Sequence, residues 1–244
     1  MWVMKMAINY NDIACQYNDL VKQDIRNKAF PYEGYQCIQD LITDDISNQK
    51  KTIKILDLGC GTGKLYEFLN PKKFQLTGID HSSEMLDIAH KRYPNSQFFH
   101  HDFLKGLPQA LNHKTYDYII INYVFMHYSF KTNLDVIRQM VNCLSKMGKI
   151  IVSGLLFINP TAKQEFFYSH QDYNDLDLHF HMYSQFVKQM NEQLALSYFE
   201  INAYTGMMII ENVNEFTLLF EDPLVKYKTN TVKWKSTHPR DKRE

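Results

Sequence analysis

Ile55-Leu56-Asp57-Leu58-Gly59-Cys60-Gly61-Thr62-Gly63 is an apolar run that ends in three alternating glycines. Such a run, short and followed at once by turn formers, is the pattern of a buried strand feeding a tight turn. Glycine has no Cβ, so Gly59 and Gly61 can take positive φ and let a ligand lie against bare main chain. The spacing excludes two familiar glycine loops. A phosphate loop needs G-x-x-x-x-G-K-[ST], but Leu58 stands where its first glycine belongs and Leu65 follows Lys64. A dinucleotide turn reads G-x-G-x-x-G, whereas the order here is G-x-G-x-G led by Asp57.

Working outward, Ile13, Tyr17, Leu20, Val21 and Ile25 predict an amphipathic helix over 12–27, and a second helix is expected over 35–46 before the polar loop 47–51. Beyond the glycines, apolar runs predict strands at 75–79, 97–100, 118–122 and 149–154, with helices at 64–69, 83–92 and 132–146. Strand and helix alternate, which implies parallel strands joined by right-handed crossovers and covered on both faces. The expected fold is a doubly wound α/β sheet. From about 160 the alternation lapses into a polar, aromatic stretch ending near Tyr183, expected as a cover over the site. A helix at 183–193, a strand at 196–204, and edge or helical elements at 207–210 and 216–220 follow.

The chain is read as one domain: a helical cap at 1–48, a core at 52–155, a substrate-cover insertion at 156–195, and strands with a basic tail at 196–244. That tail, from Lys226, carries seven basic and two acidic side chains, a formal charge of plus five, and is expected to be solvated and mobile. Over the whole chain 27 basic residues balance 27 acidic ones, so no global field attracts nucleic acid or an anionic membrane. Cys15, Cys37, Cys60 and Cys143 show no close pairing, which points away from a disulfide framework or zinc site. The start, Met1 to Met6, has no signal-peptide apolar region, and the apolar stretches at 119–125 and 150–158 are too short to cross a bilayer. A cytoplasmic protein without membrane contact is expected, as a monomer or a homodimer.

Asp57-Leu58-Gly59-Cys60-Gly61-Thr62-Gly63 resembles the first motif of class I S-adenosylmethionine-dependent methyltransferases, and the likeness extends over about residues 10–155. The resemblance implies a Rossmann-like, mostly parallel seven-stranded sheet with S-adenosylmethionine as cofactor. It also assigns roles. Asp57, Gly59, Cys60, Gly61 and Gly63 would form the cofactor turn. Asp80, 23 residues after Asp57 at the next strand's end, matches the acid that accepts from both ribose hydroxyls. His81 and Ser82 would flank the adenine; Asp102 would accept from its amino group, with Phe103 beside the ring. Asn122 would meet the methionine ammonium. Tyr10 and Tyr17 resemble an amino-terminal element that closes over the cofactor, Tyr17 toward the donor and Tyr10 toward the acceptor. Tyr123, His127 and Tyr128 would line the acceptor side.

Methyl transfer from a sulfonium disperses charge, so alignment does much of the work and only some acceptors need a base. For a hydroxyl acceptor His127 is the candidate catalytic residue. His170, Asp172, His179 and His181 lack a supporting carboxylate pattern, and no metal is expected. The chain has Asn122-Tyr123-Val124-Phe125 where base-amine enzymes of the superfamily carry N-P-P-Y or D-P-P-Y, which favours a small-molecule acceptor modified at O or N. Aromatics at 166–183 are candidates for its pocket or for the core. Two other readings stand: an RNA or protein methyltransferase that uses the basic tail, and a cofactor-binding module without turnover.

Overall fold

Ile53, Ile55, Leu56 and Leu58 are all buried in β1 (Ile53–Leu58), while Lys54 between them is exposed. In a strand successive side chains point to opposite faces, so a run buried this completely must be covered on both sides. The computed structural model describes residues 9–190, 194–212 and 227–230. It shows that cover. Ile53 and Ile55 join a cluster with Val21, Ile38, Ile42 and Ile46 from α1 (Tyr10–Asn27) and α2 (Tyr35–Ser47). Leu56 and Leu58 join a second cluster with Leu134, Ile137 and Met140 from α4 (Phe130–Val141).

The remaining core elements are β2 (Phe74–Asp80), α3 (Ser83–Arg92), β3 (Gln97–His100), β4 (Tyr116–Asn122) and β5 (Leu144–Phe157). After them come α5 (Pro160–Ser169), β6 (His181–Met182), α6 (Tyr183–Gln189), β7 (Leu194–Glu200), β8 (Thr205–Asn212) and β9 (Tyr227–Asn230). The sheet runs β3-β2-β1-β4-β5-β8-β7-β9, with β6 beside β5. The first five strands are mutually parallel; β8 is antiparallel to both β5 and β7. The expected seven strands are present, and the two-residue β6 and the edge strand β9 extend them. Chain order reverses between β1 and β4, and the crevice beyond the carboxyl ends of those two strands is where such sheets bind ligands.

Several expected elements differ. Residues 64–69 form only a 3-10 turn at Lys64–Tyr66. Lys64, Leu65 and Tyr66 all point inward, which a helix with one apolar stripe cannot satisfy, and Pro71 denies Asn70 the helical region. Helix α4 stops at Val141, because β5 begins at Leu144 to pair with Tyr116. The stretch after 160 is not irregular: α5 occupies 160–169, started by Asn159, whose side chain accepts from Ala162 N. The aromatic residues of 166–182 largely pack into the core around Phe30, with Phe30 and Tyr173 stacked at 4.4 Å. The segment at 207–210 is an internal strand of the sheet, not an edge or a helix. Within the basic tail, residues 227–230 form β9 against β7; the rest of the tail, the amino-terminal residues 1–8 and the element expected at 216–220 lie outside the described residues.

Candidate functional site

At the end of β1 the chain turns on Gly59, Gly61 and Gly63, with φ of 72°, 51° and 69°. These are left-handed values that side chains with a Cβ resist. At Gly59 a Cβ would overlap the Val124 side chain; at Gly61 it would meet nothing within 4 Å and project into open space. The turn is tied to β2 through Gly59 N and Cys60 N, both donating to Ile79 O at 2.8 and 3.1 Å. Asp80, closing β2, accepts from Gly61 N at 2.7 Å and from Ser82 N at 2.9 Å. One buried carboxylate therefore fixes both the glycine turn and the start of α3.

Strand β4 delivers the facing wall. Asn122 Oδ1 accepts from Ser153 Oγ at 2.7 Å. The next residue, Tyr123, has a φ of 58°, a strained value for a bulky side chain. It is held there by Tyr123 N donating to Ser153 O at 2.8 Å, and Gly154 leaves room for it: a Cβ at Gly154 would lie 3.1 Å from Tyr123 Cα. A 3-10 turn at Phe125–His127 follows and aims His127 back toward β2. The third wall is α1. Its anchors are Tyr10 Oη at 2.8 Å from His127 Nε2, Ser82 Oγ donating to Asn11 Oδ1 at 2.6 Å, and Thr62 Oγ1 donating to Asn18 Oδ1 at 2.7 Å.

Gly59, Gly61, Asp80, His81, Phe103, Asn122, Tyr123, His127 and Tyr128, with Tyr10 and Tyr17 from α1, line one cavity. It encloses about 60 Å³. Five residues expected at the site do not line it. Asp57 is buried beneath the turn. The Cys60 sulfur fills the space a Cβ on Gly78 would take, 2.7 Å away, and a Cβ on Gly63 would meet Tyr93 at 2.8 Å. Ser82 caps α3 by accepting from Met85 N at 3.2 Å. Asp102, expected at the adenine, caps the 3-10 turn Phe103–Lys105 through Leu104 N at 3.1 Å and pairs with Lys105 at 3.5 Å. This carboxylate is thus engaged at the cap and with Lys105, and it is absent from the cavity lining.

Met85 and Val124 line the cavity and were not anticipated. Their signal is weak: each is an apolar residue close after a strand end, indistinguishable in sequence from core. Also unanticipated is the support beneath His127. His181 Nε2 lies 2.9 Å from Phe125 O, 3.0 Å from Tyr128 O and 2.9 Å from Asn133 Nδ2, and His179 N donates to Met126 O at 2.7 Å. These two histidines fasten the turn that carries His127. Among the described residues no group of three or more His, Cys, Asp or Glu side chains is arranged to hold a metal ion.

Burial sets the protonation states. The Asp57 carboxyl is pushed up to about 8, first by burial and then by the Asp80 carboxylate. The His127 imidazole is pushed down to about 4, chiefly by burial and then by His81, so it is neutral at pH 7 and able to receive a proton. Tyr10 and Tyr17 are both pushed up, by burial first, and keep their hydroxyl protons.

Residues 55–148 match the family model for the methyltransferase domain. An uncharacterised methyltransferase of Alkaliphilus oremlandii is 30% identical over 134 residues, 55% of this chain and 60% of that protein. The malonyl-[acyl-carrier protein] O-methyltransferase of Priestia megaterium is 30% identical over 143 residues, 55% of this chain and half of that protein. In fold, the chain is similar to the magnesium protoporphyrin IX methyltransferase of Synechocystis PCC 6803, solved with bound S-adenosylhomocysteine: TM-score 0.59, 14% identity, 83% of this chain and 98% of that one. The glycine turn, the strand order and these matches agree: residues 55–148 carry a methyltransferase domain, and the chain is similar to the class I S-adenosylmethionine-dependent methyltransferases.

Proposed function

We propose that the protein transfers the methyl group of S-adenosylmethionine to an oxygen or nitrogen of a small-molecule acceptor. The observation that carries this reading is that one cavity joins the bare main chain of Gly59 and Gly61 and the Asp80 carboxylate to His127, Tyr10, Tyr123 and Tyr128. An adenosyl ligand suits the first group. Open space lies where a Cβ on Gly61 would go, and each Asp80 oxygen keeps a lone pair for a ribose hydroxyl after accepting one main-chain N–H. His81, Met85 and Phe103 would flank the adenine, and Asn122 would receive the ammonium, with Asp57, Cys60, Gly63 and Ser82 shaping the turn from behind. Asp102 would act only by ordering the Phe103 turn.

When bound, the sulfonium supplies a methyl group already activated for in-line displacement. Alignment by Tyr123 and Tyr128 would then be the chief contribution, on the order of 7–11 kcal/mol where reacting atoms are held in place. For a hydroxyl acceptor, His127 would take the proton at Nε2, the atom that Tyr10 engages in the closed arrangement. A ligand pocket normally encloses about 300 Å³ or more. Admission of the donor therefore requires this cavity to widen, and Tyr10 and Tyr17 of α1 are among the side chains that would give way. A small acceptor is supported by the missing N-P-P-Y turn and by the fold shared with the Synechocystis enzyme, a magnesium protoporphyrin IX methyltransferase.

The test is incubation with S-adenosylmethionine labelled in the methyl group and with fractionated cell extract, alongside Asp80→Ala. Label should enter the metabolite fraction. The variant should bind the donor more weakly by at least about 1.5 kcal/mol in calorimetry, the size of lost charge-assisted hydrogen bonds. Label in RNA or protein would overturn the acceptor class; unchanged donor affinity would overturn the assignment of Asp80.

A further inference from the structure

A second cleft opens at the amino edge of the sheet, at the opposite ends of the strands from the glycine turn. It encloses about 1070 Å³ between the starts of β1 and β2, the turn from α3 to β3, and the turn before β4. Lys54, Arg92, His113 and Lys114 line it, and among the described residues no carboxylate does. In a chain whose 27 basic and 27 acidic residues cancel, this is a local concentration of one sign. Arg92 is partly engaged, its Nη1 donating to Thr62 O at 3.0 Å and its Nη2 3.9 Å from Glu67. The side chains of Lys54, His113 and Lys114 make no hydrogen bond or ion pair among the described residues.

Asp117, two residues beyond Thr115 on the cleft wall, does not neutralise them. Its carboxylate accepts from Lys51 Nζ at 2.8 Å, Lys54 N at 2.9 Å and Ser145 Oγ at 3.0 Å. Basic groups gathered around a cleft repel one another, and low-dielectric walls focus their field into it. Ser96, Asn95 and Thr115 add neutral donors on the same walls. An anion with several acceptor oxygens would satisfy both sets.

We propose that this cleft binds a small phosphorylated ligand, with the phosphate held by Lys54, His113 and Lys114. The volume is that of a large small-molecule pocket, and the basic side chains are gathered at one cleft, which favours a discrete molecule over a nucleic-acid track. The cleft shares no lining residue with the donor pocket, so its test does not depend on which acceptor is methylated.

Calorimetric titration with inorganic tripolyphosphate provides the test, on the full chain, on the double variant Lys54→Gln with Lys114→Gln, and on Lys131→Gln as a control on α4. Lys54, Lys114 and Lys131 are exposed, so the variants should fold alike. The expected result is saturable binding, weakened at least about tenfold in the double variant, unchanged in the control and reduced by added salt. S-adenosylmethionine affinity should be the same in all three proteins. Absence of binding at millimolar tripolyphosphate, or equal binding by the double variant, would overturn the proposal. So would a single-stranded RNA oligonucleotide that binds at least about tenfold more tightly than tripolyphosphate, since that outcome marks a nucleic-acid surface.

Discussion

His127 is the residue whose environment most limits the chemistry. Burial removes water from the imidazole and disfavours its charged form, and the neighbouring His81 and His179 act in the same direction against Asp177. An NMR titration of its ring protons should therefore show a midpoint near 4, well under the ordinary histidine value. A midpoint close to 6.5 would mean that the ring is solvated and that α1 does not close on it. At this scale the sequence was legible where a residue ends a strand: Gly59, Gly61, Asp80 and Asn122 all reach the cavity. It was only partly legible for their neighbours: His81 and Tyr123 line the cavity, others do not. Adjacency in a motif does not say which way a side chain points, and Cys60, Gly63, Ser82 and Asp102 turn into packing and caps.

The elements of the first half followed their periodicity, because strands buried on both faces and amphipathic helices leave strong patterns. Helix α5 did not. Its residues show little amphipathic order, since Phe166 is buried while Tyr168 is exposed and the aromatics spread around the helix. Only its cap was readable: Asn159 followed by Pro160, a side chain that can accept from an orphan N–H and a ring suited to the first helical turn. The Asn159 side chain accepts from Ala162 N at 2.9 Å. Asn159→Ala should accordingly cost about 1 kcal/mol in urea denaturation. A loss under about 0.3 kcal/mol would show that α5 is held by its packing on the core alone.

Over the whole molecule, two apolar layers sandwich the sheet, and the reversal of strand order between β1 and β4 opens the crevice that the glycine turn lines. The architecture was legible because near-continuous burial in β1 and β4 demands both layers. The β5-β8-β7-β9 end was less so. Its order depends on pairing between segments far apart in sequence, and no local pattern specifies that. Nor was the amino-edge cleft, whose basic side chains come from three separate segments.

The same architecture places Asp57 at the centre of the fold, 3% exposed, and this ties global stability to pH. Its carboxyl titrates near 8 when folded, raised first by burial and then by Asp80, against an ordinary value of 3.8. Between those values the folded chain holds a proton that the unfolded chain lacks. The stabilisation from that proton is fully present below about pH 4 and is lost as pH rises through about 8. Other titrating groups are common to the wild type and to Asp57→Asn, which keeps the shape but cannot ionise. The difference between the two proteins in urea denaturation at pH 5 and pH 8 therefore isolates Asp57, with a slope approaching about 1.4 kcal/mol per pH unit. The variant should gain on the wild type as pH rises. Parallel curves would mean that Asp57 is ionised in the folded protein, and that water or a cation reaches it behind the glycine turn.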